Sequence, residues 1–459
     1  MNVVNFKEMR TIILNIVLLL SLGINVFAQA VNFSGNARAV YEEIPEKSTG
    51  LDKIFILYGT SGVSMSYEAA TATSQVKWYR YGSLGGGYAE EIFGINKNGA
   101  TTTLSQIIPN CGYIIEEGNK RTYLWVVDYV DYELNLTAIQ PSNEQDCGSI
   151  ALDVTGRGAD IQYTAINGVS KKINREITLA YNTLEWNGDG KQWVQKRVEK
   201  SYAGFKSVIH ETAPLCDTEF VLTGDKFLKF WGEEIVLSTT SYNTHSIDVQ
   251  VEVEQTDRNV PNEKKEESTT SLGGSAPVEI IFTAYPTDAV SQREWQLSTD
   301  SEFRTVERSY TDDVYQETFN NAGTFYVRYL VNNAGGTCEI MSETYTVSIG
   351  ESSLICPNAF SPQASPGVND EWKVQFKSIV SFKCSIFNRW GVKICELNDP
   401  SQGWDGKYKG KYVNPGVYYY VIQAKGADGK KYNLKGDINI INYVGKESTG
   451  ENSGEGVIE

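Results

Sequence analysis

Pro357-Asn358-Ala359-Phe360-Ser361-Pro362, Phe387-Asn388-Arg389-Trp390-Gly391, Gly403-Trp404-Asp405-Gly406, Pro415-Gly416-Val417-Tyr418-Tyr419-Tyr420 and Gly436-Asp437-Ile438 punctuate the C-terminal stretch of the chain. Between them, apolar and aromatic runs of roughly four to seven residues alternate with Gly, Pro, Asn and Asp clusters, at about the 8–12-residue spacing of sandwich strands. No run carries a helical period. The stretch therefore reads as a small all-β unit. Pro357, Asn358, Phe360, Pro362, Asn369, Asp370, Phe387, Asn388, Arg389, Trp390, Gly391, Gly403, Trp404, Asp405, Gly406, Pro415, Gly416, Tyr418, Gly436 and Asp437 serve in it as structural turn and core positions.

These motifs, in this order, resemble the gliding-motility-associated C-terminal domain, the type B sorting domain of the Bacteroidetes type IX secretion system, over about Leu354 to Ile441. The resemblance implies an address read by outer-membrane secretion and sorting machinery, and hence a cell-surface or extracellular destination reached through the periplasm. One stretch departs from the family: where an Asn-Gly-Asp-Gly type turn is usual, Gln363 to Asp370 has lost most of its acidic ligands, which weakens any inherited calcium site.

The other end of the chain fits the same destination. Lys7 and Arg10, the apolar run Thr11 to Ile24, and Val26-Phe27-Ala28 or Ala28-Gln29-Ala30 form a secretory signal peptide over 1–28. No Cys follows the cleavage point, which argues against a lipid anchor, and no later run is long enough to span a bilayer, so the mature chain should lack a transmembrane segment.

Between these ends, 459 residues with 41% apolar and 12% aromatic content suggest three or four domains with β rather than helical cores. We expect immunoglobulin-like sandwiches over 29–140 and 141–255, a linker over 256–275, a third sandwich over 276–350, the C-terminal unit over 351–444 and a disordered tail over 445–459. In the first sandwich, Ile54 to Tyr58 is a compact strand and Trp78 lies on an alternating one. Asn110 to Ile115 and Tyr123 to Val127 make a hairpin. In the second, Thr183 to Trp186 and Gln192 to Val194 flank an Asn187-Gly188-Asp189-Gly190 turn. Its last strand is Ile247 to Glu254, with a strict period of two. The third resembles a polycystic-kidney-disease (PKD) type domain in the run from Ala276-Pro277 through a Trp strand to Phe319-Asn320-Asn321-Ala322-Gly323-Thr324-Phe325-Tyr326-Val327. It departs where Trp295-Gln296-Leu297-Ser298-Thr299-Asp300 replaces the usual Trp-Asp-Phe-Gly-Asp-Gly. Trp78, Trp186 and Trp295 are expected in cores, while Trp193, Trp231 and Tyr81 are less clearly placed.

Seven cysteines in an exported chain predict some disulfides, but spacing does not select the pairs. One pair is testable. A two-residue turn at Asn388 to Gly391 sets Cys384 opposite Cys395 within disulfide reach, whereas a left-handed bulge at Gly391 slips the register by one and turns the two to opposite sides; the competing reading is two buried free thiols in the core.

The chemistry of catalysis is sparse. Two histidines, His210 and His245, form no metal motif with the cysteines, and no nucleophile elbow or phosphate loop is present. We therefore expect no catalytic residue, no cofactor and no metal. A net charge of −16 argues against nucleic acid as a partner. An extracellular protein or glycan is the partner class left open, and glycan binding or glycoside hydrolysis on β scaffolds is the alternative function.

Overall fold

The computed structural model describes residues 31–256, 258–264, 272–362, 364 and 367–441, with the side chains of 143–145 left aside. The expected signal peptide, the whole of the expected tail over 445–459 and part of the linker lie outside the described residues. Strands dominate, and a single α-helix, Lys226–Phe230, occurs among the described residues. Four β units follow one another.

In the first, a four-stranded sheet (Val31–Gly35, Val63–Glu68, Thr101–Leu104, Asn96–Asn98) faces a six-stranded one. The six-stranded sheet runs Tyr41–Glu43, Lys53–Leu57, Lys120–Asp128, Cys111–Glu117, Val76–Tyr81, Glu90–Glu91. The expected hairpin closes on Glu117 opposite Lys120. Phe55, Leu57, Trp78, Tyr113, Leu124 and Val126 fill the space between the sheets. On the opposite face of the same strands, Ile54, Ile56, Ile114, Trp125 and Val127 join a second core with Leu136, Leu152, Leu179 and Phe220 of the next unit. Strands buried on both faces read as continuous apolar runs. That is the physical reason Ile54-Phe55-Ile56-Leu57 and Leu124-Trp125-Val126-Val127 lack alternation. The first two units share a core and are not beads on a string.

The second unit combines a three-stranded sheet (Asn135–Gln145, Ser149–Arg157, Val208–Thr212) with a four-stranded one (Gln192–Tyr202, Ile177–Asn187, Val221–Gly224, Ile235–Ser238). Strand Asn135–Gln145 crosses the boundary expected at 140/141, and its partner Ser149–Arg157 assigns it to the second sandwich.

The strand expected to close that sandwich belongs elsewhere. Val249–Gln255 pairs with Val278–Pro286, which in turn pairs with Val314–Phe319. It is the first strand of the third unit, and Ile247 and Val249 lie in that unit's core with Trp295, Phe282 and Tyr329. The facing sheet runs Leu272–Gly274, Tyr345–Ile349, Gly323–Asn333, Val290–Ser298, Arg308–Tyr310, with its first two strands parallel. The described part of the expected linker is tied down instead of free: Asn262 Nδ2 donates to the carbonyls of Val374 and Pro400, both at 2.8 Å.

Contacts between units are specific. Cys147 and Cys338 form a disulfide between the second and third, 191 residues apart in sequence. Trp186 and Trp193 are half-buried rather than core. Their rings meet at 5.5 Å, Trp186 reaches Tyr285 at 5.0 Å, and Trp193 Nε1 donates to the Tyr285 carbonyl at 2.8 Å. Trp231 bridges the first two units, packing on Tyr58 and Tyr129 and donating to the Ala39 carbonyl. Trp78 and Trp295 are buried, as is Tyr81.

Candidate functional site

The C-terminal unit is built on a five-stranded sheet: Ala359–Phe360, Lys431–Ile440, Gly416–Gly426, Ile379–Phe387 and Lys393–Leu397. Its inner face carries Phe382, Cys384, Ile386, Ile422, Ile438 and Ile440, covered by Trp372 and Trp404. An isolated bridge joins Trp372 to Trp404 backbone to backbone. The two indoles are anchored by their N–H groups, Trp372 to the Pro357 carbonyl at 2.7 Å and Trp404 to the Lys407 carbonyl at 2.9 Å. A buried indole N–H usually finds such a partner.

Most of the motif residues converge on this lid. Phe360 lies against Trp404 with ring centroids 5.4 Å apart, and Tyr418 meets Trp404 edge-on at 5.2 Å while its hydroxyl donates to the Asn414 carbonyl. Gly406 has φ +78°, and a Cβ there would come within 2.8 Å of buried Pro362. Asp405 accepts from the Lys407 amide and pairs with its ammonium at 2.7 Å, closing the turn that holds Trp404. A Cβ on Gly436 would strike the Tyr420 ring. Asn358 accepts from the Asn439 amide, and Asp437 from the Asn439 side chain. Asn369 at φ 56° accepts from Ser361, and Asp370 accepts from the Gly367 amide. Gly403 lies beside the Glu371 and Lys373 side chains, while Pro415 and Gly416 are exposed where the next strand begins.

The Asn388 to Gly391 turn stands apart. Asn388 Oδ1 accepts from the amides of Trp390 and Val392, and the Arg389 guanidinium stacks over the Trp390 ring at 4.4 Å. Trp390 itself is 73% exposed.

The candidate disulfide is corrected. Gly391 is left-handed, and a further register shift between Ile386 and Phe387 pairs Cys384 with Leu397 and Ile386 with Cys395. Cross-strand partners and residues two apart share a face, so the two cysteines lie on one side instead of on opposite ones, as diagonal neighbours whose Cα atoms are about 7–8 Å apart, wide of disulfide geometry. Both are free. Burial pushes the Cys384 thiol up to about 12, with Cys356 and Cys395 adding to it, and raises Cys356 and Cys395 as well. Such thiols are core residues, not thiolate nucleophiles.

The chain carries a type IX secretion signal domain: residues 354–440 match the model of the CHU_C type IX secretion signal domain, and 139–241 match that of a fibronectin type III domain. The residues converging on the Trp404 lid are those of this sorting domain. No curated protein matches the chain. Among solved structures, it is similar to a tetra-tandem repeat in the extending region of a large adhesion protein, at 10% identity and a TM-score of 0.22 over 90% of this chain and 100% of that one. It is also similar to three N-terminal domains of the bacteriophage RB49 highly immunogenic outer capsid protein, at 7% identity and a TM-score of 0.20 over 68% and 100%. Dimeric latent PorU from Porphyromonas gingivalis matches at 9% identity and a TM-score of 0.15 over 70% and 35%. Likenesses this distant decide nothing about what this chain binds.

Charge is the signal that sequence reading missed. Of 41 Lys and Arg and 57 Asp and Glu, 12 and 7 lie between 354 and 441, so the sorting domain carries +5 while the remainder, 29 against 50, carries −21. The whole-chain total hides that reversal. Elsewhere, His210 and His245 are both exposed, and no group of three metal-ligating side chains occurs among the described residues. No helix there is long and apolar enough to cross a membrane.

Proposed function

We propose that this chain is a non-enzymatic adhesive or scaffolding protein of the cell surface, with its three upstream sandwiches as a stiffened stalk and residues 354–441 as the export address. The secretion signal domain points to export toward the cell surface or the extracellular space, and both domain kinds found are non-catalytic. The coupling of the upstream units carries the stalk reading. A core shared by the first two, and a disulfide with an indole bracket between the second and third, remove the hinges that independent domains would have. A stalk needs such stiffness to hold a binding end away from the surface; an isolated enzyme domain does not.

The strand tryptophans weighed for glycan stacking are covered. Trp78, Trp295 and Trp404 are buried, and Trp186 and Trp193 are occupied by Tyr285. Small-angle scattering of residues 31–441, with and without reductant, tests the stalk. A single extended particle that loosens on reduction agrees with it, and a flexible string in both conditions does not. Adhesion of whole cells with and without the gene tests the role.

A further inference from the structure

The sorting domain's sheet is covered on one face only. On the outer face, Val417, Tyr419 and Val421 of strand Gly416–Gly426 are 43%, 46% and 46% exposed, and Tyr419 lies between Phe387 on one neighbouring strand and Asp437, the acidic residue of the stripe, on the other. Further along that face, Lys425 stands directly opposite Lys431, and Lys435 opposite Val421. Lys425, Lys431 and Lys435 form no ion pair among the described residues. Like charges set directly opposite across strands are destabilising, and half-exposed apolar side chains on an uncovered sheet face leave unused burial. Folding alone gives no reason for either.

We propose that this face is the docking surface of the sorting domain, and that its partner is an acidic protein surface with an apolar centre on the export apparatus. The proposal rests on reading 354–441 as the export address. Charge complementarity selects the partner: an acidic surface attracts a domain of net +5 and repels the rest of the mature chain, which carries −22 once the expected signal peptide (net +1) is removed, so encounters present the sorting domain first. Partial burial selects a protein over a lipid bilayer. Val417, Tyr419 and Val421 are half-covered by their neighbours and do not project, whereas interfacial membrane anchors push an apolar face between headgroups.

The test uses the full-length chain expressed in its own cells, with the surface and periplasmic fractions measured for three forms. The first reverses charge (Lys425→Glu, Lys431→Glu, Lys435→Glu), the second removes the apolar stripe (Tyr419→Ser, Val421→Ser), and the third deletes 351–459. Far-ultraviolet spectra and melting curves of the purified substituted forms establish that they fold. Both should lose surface fraction and accumulate in the periplasm, the charge-reversed form by about tenfold, the size expected when electrostatic steering is reversed. Folded forms exported at the normal level, while the deletion is retained, overturn the docking face and leave the export reading standing. A deletion that still reaches the surface removes both. Flotation of the full chain with phosphatidylglycerol vesicles, abolished by charge reversal, would overturn the protein partner in favour of lipid.

Discussion

Arg175 Nε donates to Asp225 Oδ2 at 2.9 Å, with both side chains at 0% exposure. The same guanidinium donates to the carbonyls of Tyr132 and Ala159, and Tyr129 donates its hydroxyl to Asp225 Oδ2 at 3.0 Å. Asp225 Oδ1 in turn accepts from the amides of Phe227 and Leu228 and caps the short helix. One buried ion pair thus ties the end of the first unit to the core of the second. Arg175→Met would leave the carboxylate buried without its cation, so we predict a loss of about 3–5 kcal/mol in denaturant unfolding, with both units losing stability together. Unfolding of the first unit unchanged in that variant would contradict the shared core.

The Cys147–Cys338 bond closes a long loop across two units. Labelling under denaturing, non-reducing conditions should find five thiols, those of Cys111, Cys216, Cys356, Cys384 and Cys395, and reduction should bring the count to seven. Cys147→Ser with Cys338→Ser should cost about 2–4 kcal/mol. Finding Cys384 and Cys395 protected after denaturation would contradict the register of their hairpin.

Two tryptophans of the sorting domain should behave oppositely. Trp404 is 2% exposed and Trp390 is 73% exposed. Trp404→Ala should cost about 3–5 kcal/mol, as large core truncations do, and Trp390→Ala less than about 0.5 kcal/mol. Equal losses in thermal melts would show that the turn is packed against something.

Acid stability should depend on Glu117. Burial alone would raise its carboxyl, but hydrogen bonds from Ser74, the Ala70 amide and Tyr67 outweigh burial and hold it below the ordinary carboxylate range. A depressed carboxylate contributes stability above its unfolded value of about 4.3, and that contribution is lost as pH falls through the folded value. Glu117→Gln should therefore flatten the decline in melting temperature on acidification from neutral pH. An unaltered acid slope would assign the effect elsewhere.

Strand existence was legible in the residues, and strand membership was not. The period of two in Val249 to Glu254 announces a strand with one buried face, but only its pairing with Val278–Pro286 says which sandwich it opens. Trp186 and Trp295 sit on similar runs; the facing surface is the neighbouring unit's Tyr285 in one case and the local core in the other. The continuous run Ile54 to Leu57 already implied burial on both faces, a signal that locates a domain interface when taken at its word. The Cys384 register turned on a second irregularity between Ile386 and Phe387 that no turn residue marks. The motif positions of the sorting domain were legible because turns and buried indoles demand particular residues. Its outward face was not, since Val417, Tyr419 and Val421 read as ordinary strand residues until Tyr418 and Ile422 are seen buried on the other side.

Cell fractionation of the chain lacking residues 351–459, beside the full-length chain, is the most direct measurement of the sorting role. Retention of the truncated form in the periplasm, folded and at normal abundance, is the predicted result. Display of that form at the surface at the full-length level would contradict it.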